Sequence, residues 1–93
     1  MIRSYRDRDT ERLAARQRVE KWAPELSKVA LRKLRMLAAA EELTDLRVPP
    51  GNRLERLEGD RQGQHSIRIN DQWRICFRWE AGNADDVEIV DYD

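Results

Sequence analysis

Apolar and polar residues alternate along residues 64–80, and the alternation is interrupted once, by the dipeptide Asn70-Asp71. A period of two is typical of β-strands, because successive side chains point to opposite faces of a sheet, and an Asn-Asp pair favours a turn. We therefore predict a β-hairpin with strands over residues 64–70 and 72–80. The pattern places four large apolar side chains of the second strand on one face, which we expect to be the core face: Trp73, Ile75, Phe77 and Trp79.

The first half of the chain shows the helical period instead. Asp9 and Thr10 are candidate N-caps of a first helix, whose apolar side would include Leu13, Ala14 and Val19. Pro24 is expected to end this helix and to open a second one. Apolar residues of the second helix recur at helical spacing, with Leu31 widening the stripe: Ala30, Leu34, Leu37 and Ala38. The opposite face is expected to be basic and solvated, with Lys28, Arg32, Lys33 and Arg35.

Extended segments are predicted in the rest of the chain. Residues 1–5 can form a short strand, residues 49–51 (PPG) stop the helical half, and residues 53–57 and 87–93 have the composition of strands. No internal repeat, low-complexity segment or long linker divides the chain, and 93 residues allow one domain. We predict a single α+β domain over residues 1–93, in which two N-terminal helices pack on a mainly antiparallel sheet of four to five strands.

The charged residues are balanced in total but not along the chain. Residues 1–50 carry twelve Lys or Arg against eight Asp or Glu, whereas residues 51–93 carry six against ten. Fifteen of the eighteen cations are arginines, whose planar guanidinium suits bidentate contact with phosphate or carboxylate. Arginine-rich helices also occur as ordinary solvated surfaces, and composition alone favours that interpretation.

Arginines occupy polar positions of the predicted hairpin. Antiparallel pairing would put Arg68 and Arg74 on one face of the sheet, where like charges repel unless an acidic group or an anion lies between them. Asp91 and Asp93 share a face of the last strand, so one interpretation is a network of salt bridges across the sheet. The other is a site for an anionic polymer or an acidic protein segment, and the residue pattern leaves both open.

The sequence contains no general catalytic or metal-binding motif. His65 is the single histidine, and a lone histidine beside apolar strand positions is more often structural than catalytic. Cys/His spacing typical of zinc sites, a glycine-rich phosphate loop and a nucleophile elbow are all missing. Cys76 is expected to pack as a small apolar side chain. Without an apolar signal region or a run long enough to cross a bilayer, we expect a cytoplasmic protein with no membrane partner.

A long segment resembles one protein family. The run PPGNRLERLEGDRQGQHSIRINDQWRICFRW, followed by DVEIVDY, is similar to the HigB-type toxins of the RelE/ParE superfamily, which belong to bacterial type II toxin–antitoxin pairs. The resemblance implies a microbial-RNase-like α+β fold that enters the ribosomal A site and cleaves mRNA without a metal or cofactor. It also implies a HigA-type antitoxin with a helix-turn-helix. The toxin would then be associated with operator DNA only indirectly, through this antitoxin.

The same resemblance implies roles for particular residues. Arg74 matches the family arginine at the scissile phosphate, and Asp91 matches an acidic position of the active site. Tyr92 matches a residue near the substrate that could stack on a base or hydrogen-bond to it. The basic helix face is expected to meet ribosomal RNA through Lys28, Arg32, Lys33 and Arg35.

The chain departs from the family pattern at three positions, where the family has a lysine for Glu58, an arginine for Asn70 and a histidine for Asp93. Arg68 shares a face with Asn70 and is the candidate replacement for the missing arginine, and Arg61 could supply charge lost at Glu58; Arg61 and Asn70 are expected to contact RNA.

Asp93 is less suited than histidine to proton transfer, because a carboxylate with a pKa of about 3.9 is ionised at neutral pH. The favoured hypothesis is a ribosome-dependent endoribonuclease. A ParE-like gyrase poison and a catalytically silent toxin that keeps antitoxin binding are the alternatives.

Overall fold

Two helices precede a four-stranded antiparallel sheet in the computed structural model, which describes residues 1–91. The helices are α1 (Arg8–Ala14) and α2 (Pro24–Ala39). The strands are β1 (Glu55–Arg56), β2 (Gln64–Arg68), β3 (Trp73–Glu80) and β4 (Asn83–Asp91). Short 3-10 helices lie between these elements, at Leu43–Arg47, Pro50–Asn52 and Gly59–Arg61. The predicted α+β architecture is confirmed.

Strands β1 to β4 lie in sequence order across the sheet, and every pair is antiparallel. The N-terminal segment adds to β4 in the parallel direction through two isolated bridges, Ile2 with Ala84 and Tyr5 with Val87. The predicted N-terminal strand is therefore present only as these two points of contact. Within residues 1–91, no helix has both the length and the apolar character needed to cross a membrane.

The hydrophobic core lies between the helices and one face of the sheet. Ile67, Ile75 and Phe77 are fully buried there and pack in one cluster with Leu34 and Leu37 of α2. The partly buried Trp73 and Trp79 complete this face of β3, as the alternation of residues 73–79 predicts. Burying one face of the sheet fixes the strand register, because a shift by one residue would turn the apolar side chains towards solvent.

The first helix begins and ends earlier than the sequence pattern indicated. Its N-cap is Asp7, not Asp9 or Thr10, and the Asp7 carboxylate accepts a 3.1 Å hydrogen bond from the Thr10 amide. Thr10 is instead buried, and its hydroxyl accepts a hydrogen bond from the backbone amide of Ile89 in β4. Val19 is buried but lies beyond the end of α1, so Pro24 opens α2 without ending α1.

The faces of α2 differ from the prediction at two positions. Ala38 is exposed, and Lys33 is buried together with Ala30, Leu34 and Leu37. Positions 30, 33, 34 and 37 form one stripe of a helix, so Lys33 lies on the core side by geometry. Its side chain can lie there because the amine has a buried hydrogen-bond partner, Asn52. Lys33 therefore does not belong to the exposed basic face of α2.

The strand ends also differ. The predicted strand over residues 53–57 is reduced to Glu55–Arg56, followed by one further hydrogen bond from the Leu57 amide to the Gln64 carbonyl of β2 at 2.9 Å. Strand β4 begins at Asn83 rather than at residue 87. Ala81 and Gly82 both have positive φ, at 51° and 81°, and they form a two-residue turn between paired Glu80 and Asn83. Such a turn matches the twist of the flanking strands, so β3 and β4 can pair up to it.

Candidate functional site

A surface cleft of about 280 Å³ lies on the polar face of the sheet, opposite the core. Its lining comes from the segment before β1, from β1 to β3 and from the β2–β3 turn: Arg53, Glu55, Arg68, Asn70, Asp71 and Arg74. Three of these six residues are arginines and two carry carboxylates, so the cleft has a net positive charge that the two carboxylates reduce. Arg68 and Arg74, which the sequence pattern placed on one face of the sheet, both line this cleft.

Arg74 is the most constrained residue of the cleft. It occupies a polar position of the hairpin, yet it is only 7% exposed. Its Nε donates a 2.8 Å hydrogen bond to the Ser66 hydroxyl, and its Nη2 donates a 2.7 Å bond to the backbone carbonyl of Arg53. The Glu55 carboxylate lies 3.4 Å from the same Nη2. A buried cation is tolerated when hydrogen-bonded and paired in this way, and the contacts fix the plane of the guanidinium.

Arg68 lies directly opposite Arg74 in the β2–β3 register, so the prediction that the two arginines share a face is confirmed. Arg68 is half-buried, and its guanidinium contacts the turn: Nε donates to the Asn70 carbonyl at 3.1 Å, and Nη2 pairs with the Asp71 carboxylate. Acidic groups therefore do accompany the two arginines. Among residues 1–91 they include Glu55 and Asp71, neither of which was singled out from the sequence.

Asn70 has a structural role in addition to its place in the cleft. Its side-chain oxygen accepts hydrogen bonds from the backbone amides of Gln72 and Trp73, at 2.9 and 2.8 Å. These bonds close the hairpin turn. Arginine has no acceptor atom and could not form them. The amide at this position is thus explained by the local geometry of the turn, where the family pattern has an arginine.

Arg61 contacts a different part of the polar face. Its Nη1 donates to Glu88 at 2.7 Å and to Gln64 at 3.1 Å, which ties the turn after β1 to β2 and β4. Arg78 makes a separate ion pair with Asp86 at 3.6 Å. Within residues 1–91, the acidic partners of these two arginines therefore include Glu88 and Asp86, whereas the predicted network used Asp91 and Asp93. Arg61 is not among the residues that line the cleft.

The C-terminal candidates are only partly described. Asp91 accepts a 2.9 Å hydrogen bond from Gln72 and pairs in register with Trp73, whereas Val90 lies opposite Arg74. Because register partners share a face, Asp91 belongs to the opposite face of the sheet from Arg74. Tyr92 and Asp93 lie outside the described residues, and the roles expected for them stay predictions.

The exposed basic residues of α2 form a second surface. Lys28, Arg32 and Arg35 line a groove of about 640 Å³ whose remaining wall is Glu25, Val29 and Leu31. Within residues 1–91, this groove shares no residue with the cleft on the sheet. The expected cationic helix face is therefore present, without Lys33.

The remaining titratable candidates lie outside the cleft. Burial, and secondarily the nearby Arg56, lowers the pKa of His65. Burial raises the pKa of the Cys76 thiol, which is fully enclosed as expected for a packing residue. Among residues 1–91 there is no group of three or more His, Cys, Asp or Glu side chains that could hold a metal ion.

Sequence reasoning missed four contributors to the site: Arg53, Glu55, Ser66 and Asp71. Ser66 could have been found, because it occupies the same face as Arg68 and lies diagonal to Arg74 in the predicted hairpin. The Arg53 contact could not, because its backbone carbonyl is the acceptor and carries no sequence signal.

Two helices on a four-stranded antiparallel sheet, with arginines set in a cleft on the polar face, define an α+β domain of the RelE-like class. A family model described as the RelE-like toxin of type II toxin–antitoxin system HigB matches residues 3–93. The chain belongs to this HigB-like toxin family.

Two relatives extend this result. Toxin HigB-1 of Vibrio cholerae is 55% identical over 53 residues, which cover 57% of this chain and 56% of that protein. An uncharacterized protein of Haemophilus influenzae is 42% identical over 62 residues, which cover 67% of this chain and 61% of that protein. The matched segment thus spans less than two thirds of either relative.

Proposed function

We propose that this chain is a ribosome-dependent endoribonuclease that cleaves mRNA in the ribosomal A site without a metal or cofactor and so inhibits translation. The observation that carries the proposal is the fixed guanidinium of Arg74 in the cleft, held by Ser66 and the Arg53 carbonyl. Membership of the HigB-like family supports the choice of RNA as the anionic partner.

The chemistry proposed for this cleft needs few protein groups. When a ribose 2′-hydroxyl attacks the neighbouring phosphate, the nucleophile is already part of the substrate, and the protein must position the nucleotide, move protons and stabilise charge on the phosphoryl oxygens. Arg74 suits the last task, because a guanidinium that is oriented before substrate binds does not have to reorganise during the reaction. Arg68 would add a second positive charge on the same face.

Two carboxyl-terminal residues complete the proposal on the strength of the family resemblance. Tyr92 would stack on a base or hydrogen-bond to it. Asp91, which the resemblance also pointed to, lies on the opposite face of the sheet from Arg74, and no role beside the substrate is proposed for it. Asp93 would serve as a weak base in the place where the family has a histidine. We infer reduced activity for this chain, because an ionised carboxylate adds negative charge near an anionic phosphate and is a poor proton donor at neutral pH.

The groove on α2 is proposed to contact ribosomal RNA. Lys28, Arg32 and Arg35 are exposed along one side of the helix, and they can approach phosphates without disturbing the core. Attraction of this kind weakens with salt, because bound counterions are released from the nucleic acid.

A HigA-type antitoxin is the proposed protein partner, since a free toxin of this kind would stop its host. The test is to co-express this chain with the product of the neighbouring gene, with a tag on one partner, and to look for a stable complex. Recovery of this chain alone from such cells would contradict the assignment.

The main test of function is induced expression followed by growth measurement and mapping of mRNA 5′ ends. We expect new ends at codon-linked positions within translated regions, and we expect none with Arg74→Lys. Arg78→Ala is the matched control, because Arg78 lies on the same face of the same strand but outside the cleft. Inhibition of gyrase supercoiling without new mRNA ends would overturn the proposal in favour of a ParE-like poison.

A further inference from the structure

The buried lysine of α2 needs a physical reason. Lys33 is 6% exposed, whereas its neighbour Arg32 is exposed, and the Lys33 amine donates a hydrogen bond to the side-chain oxygen of Asn52. Burial, together with repulsion from Arg32, lowers the pKa of Lys33. Burying an ammonium group against a neutral amide is costly compared with leaving it in water. A position that accepts this cost is a candidate for a role beyond filling the core.

Asn52 connects Lys33 to the loop that precedes β1. It is fully buried, and its Nδ2 donates hydrogen bonds to the backbone carbonyls of Leu46 at 3.1 Å and Val48 at 3.4 Å. The single Asn52 side chain therefore accepts from α2 and donates to two points of the loop. Replacing it would release all three contacts at once.

The residue after Asn52 is the one that holds Arg74. Arg53 has φ 45° and ψ 57°, in the left-handed region that non-glycine residues seldom adopt. Its amide donates to the Pro50 carbonyl at 3.1 Å, and its own carbonyl accepts the 2.7 Å hydrogen bond from Arg74 Nη2. Such a backbone conformation persists only when surrounding contacts enforce it. The anchored Asn52 side chain, one residue earlier, is placed to enforce it.

We propose that Lys33 and Asn52 are positioning residues for Arg74: their hydrogen bond anchors the loop before β1 so that the Arg53 carbonyl faces the Arg74 guanidinium and fixes it in the cleft. The chain of contacts runs from α2 through Asn52 and Arg53 to β3. Its consequence for cleavage rests on the proposed function, whereas its consequence for the mobility of the Arg74 side chain does not.

The first measurement is independent of activity. Rotation about the Nε–Cζ bond of an arginine slows when its Nη groups are hydrogen-bonded, and this rotation can be followed by NMR of ¹⁵N-labelled protein, with the Arg74 signals assigned by their loss in Arg74→Lys. We expect Lys33→Met to accelerate the Arg74 rotation severalfold and Arg32→Met, on the adjacent exposed position, to leave it unchanged. Unaltered Arg74 rotation in folded Lys33→Met would overturn the proposal, even if the wild-type chain cleaved no RNA.

The second measurement is single-turnover mRNA cleavage on purified ribosomes. A misplaced catalytic group commonly slows the chemical step by one to two orders of magnitude, so we expect a rate constant lowered roughly tenfold by Lys33→Met at saturating ribosomes, with apparent affinity for ribosomes unchanged. In an Arg74→Lys background the same change should have no further effect, because Lys33 acts through the guanidinium. An equal loss in both backgrounds would show that Lys33 acts by another route.

Stability is controlled separately. Leu13→Ala removes buried volume from α1, away from the network, and serves as a variant of lowered stability with an intact Lys33. We expect it to retain wild-type Arg74 rotation and single-turnover rate at temperatures where it is folded. If Lys33→Met does not fold, Lys33→Gln takes its place, because it keeps an N–H donor one atom short of Asn52. Equal changes in Leu13→Ala would reduce the effect to general destabilisation and overturn the proposal.

Discussion

The polar face of the sheet and the exposed side of α2 both present arginines, but they hold them in opposite ways. Arg74 is buried and bonded to a hydroxyl and a backbone carbonyl, whereas Arg32 and Arg35 are exposed on the helix surface. A fixed, partly desolvated guanidinium can stabilise charge that appears at one point, and a solvated one contributes longer-range, salt-sensitive attraction. Under the proposed function, cleavage would depend on the sheet and ribosome binding on the helix.

The largest expected effect is at Arg74. Loss of one preorganised donor to a developing oxyanion typically costs about 10²–10³-fold in rate, so we expect Arg74→Lys to lower single-turnover mRNA cleavage by that order. Lysine keeps the charge but cannot donate to Ser66 and the Arg53 carbonyl with one planar group. Arg74→Ala should in addition lower the free energy of unfolding by about 2 kcal/mol, because it removes hydrogen bonds to a buried charged group.

Two measurements check this prediction, namely cleavage on purified ribosomes and denaturant unfolding of the same preparations. Arg78→Ala should be near wild type in both, since Arg78 lies on the same strand and face but makes an exposed ion pair with Asp86. If Arg74→Lys cleaved as fast as wild type, the assignment of cleavage to the sheet and of binding to the helix would be wrong.

The next largest effect is a gain. Replacing the carboxylate of Asp93 by an imidazole whose pKa is near neutrality should improve proton transfer, and general acid–base groups contribute about 10²–10⁴-fold. We expect Asp93→His to increase growth inhibition and the yield of cleaved mRNA ends at equal expression. Asp93→Asn controls for loss of the negative charge alone. Equal toxicity of the histidine variant and the chain as given would mean that Asp93 is not a limiting residue.

The period of two predicted much of the sheet, because the alternation of residues 64–80 is a local property of the sequence that assigns one face of the hairpin to the core. It also put Arg68 and Arg74 on one face, which the register confirms. Periodicity could not show that Arg74 is buried, because its acceptors come from other segments, including the Arg53 carbonyl 21 residues away.

The same limit explains the error at Lys33. Helical spacing places Lys33 in the apolar stripe, but a lysine is assigned to solvent unless a buried partner is known. That partner, Asn52, lies 19 residues further along the chain. The cap of α1 was misassigned for a local reason. Asp7, Asp9 and Thr10 are all acceptable caps by residue type. The hydroxyl of the buried Thr10 is taken up by Ile89 of β4, and the Thr10 amide donates to Asp7, which makes Asp7 the cap.

A smaller effect is expected at Arg68. The Arg68 guanidinium is held by the Asn70 carbonyl and Asp71 in the β2–β3 turn, so we expect it to contribute less to binding the phosphate than Arg74 does. We expect Arg68→Ala to slow single-turnover cleavage by roughly tenfold, in the range of one imperfectly placed electrostatic contact. Arg56→Ala, a change of equal charge on β1 outside the cleft lining, should change the rate little. A loss at Arg68 as large as that at Arg74 would make the two arginines equal partners in catalysis.

The smallest effect is expected on the helix, and it should appear in binding rather than in chemistry. Each phosphate contact removed from an RNA-binding surface lowers the slope of log affinity against log salt by somewhat less than one, so Arg32→Gln should reduce that slope by about 0.7 and weaken ribosome binding only severalfold at physiological salt. The saturated cleavage rate should not change, because Arg32 lines a groove that, within residues 1–91, shares no residue with the cleft.

Arg47→Gln is the matched control, since Arg47 is also exposed but lies on the 3-10 helix Leu43–Arg47, outside this groove. Binding is measured by sedimentation with ribosomes over a series of salt concentrations. Identical slopes for Arg32→Gln, Arg47→Gln and wild type would assign the basic face of α2 to ordinary solvated surface, which is the interpretation that composition alone favours.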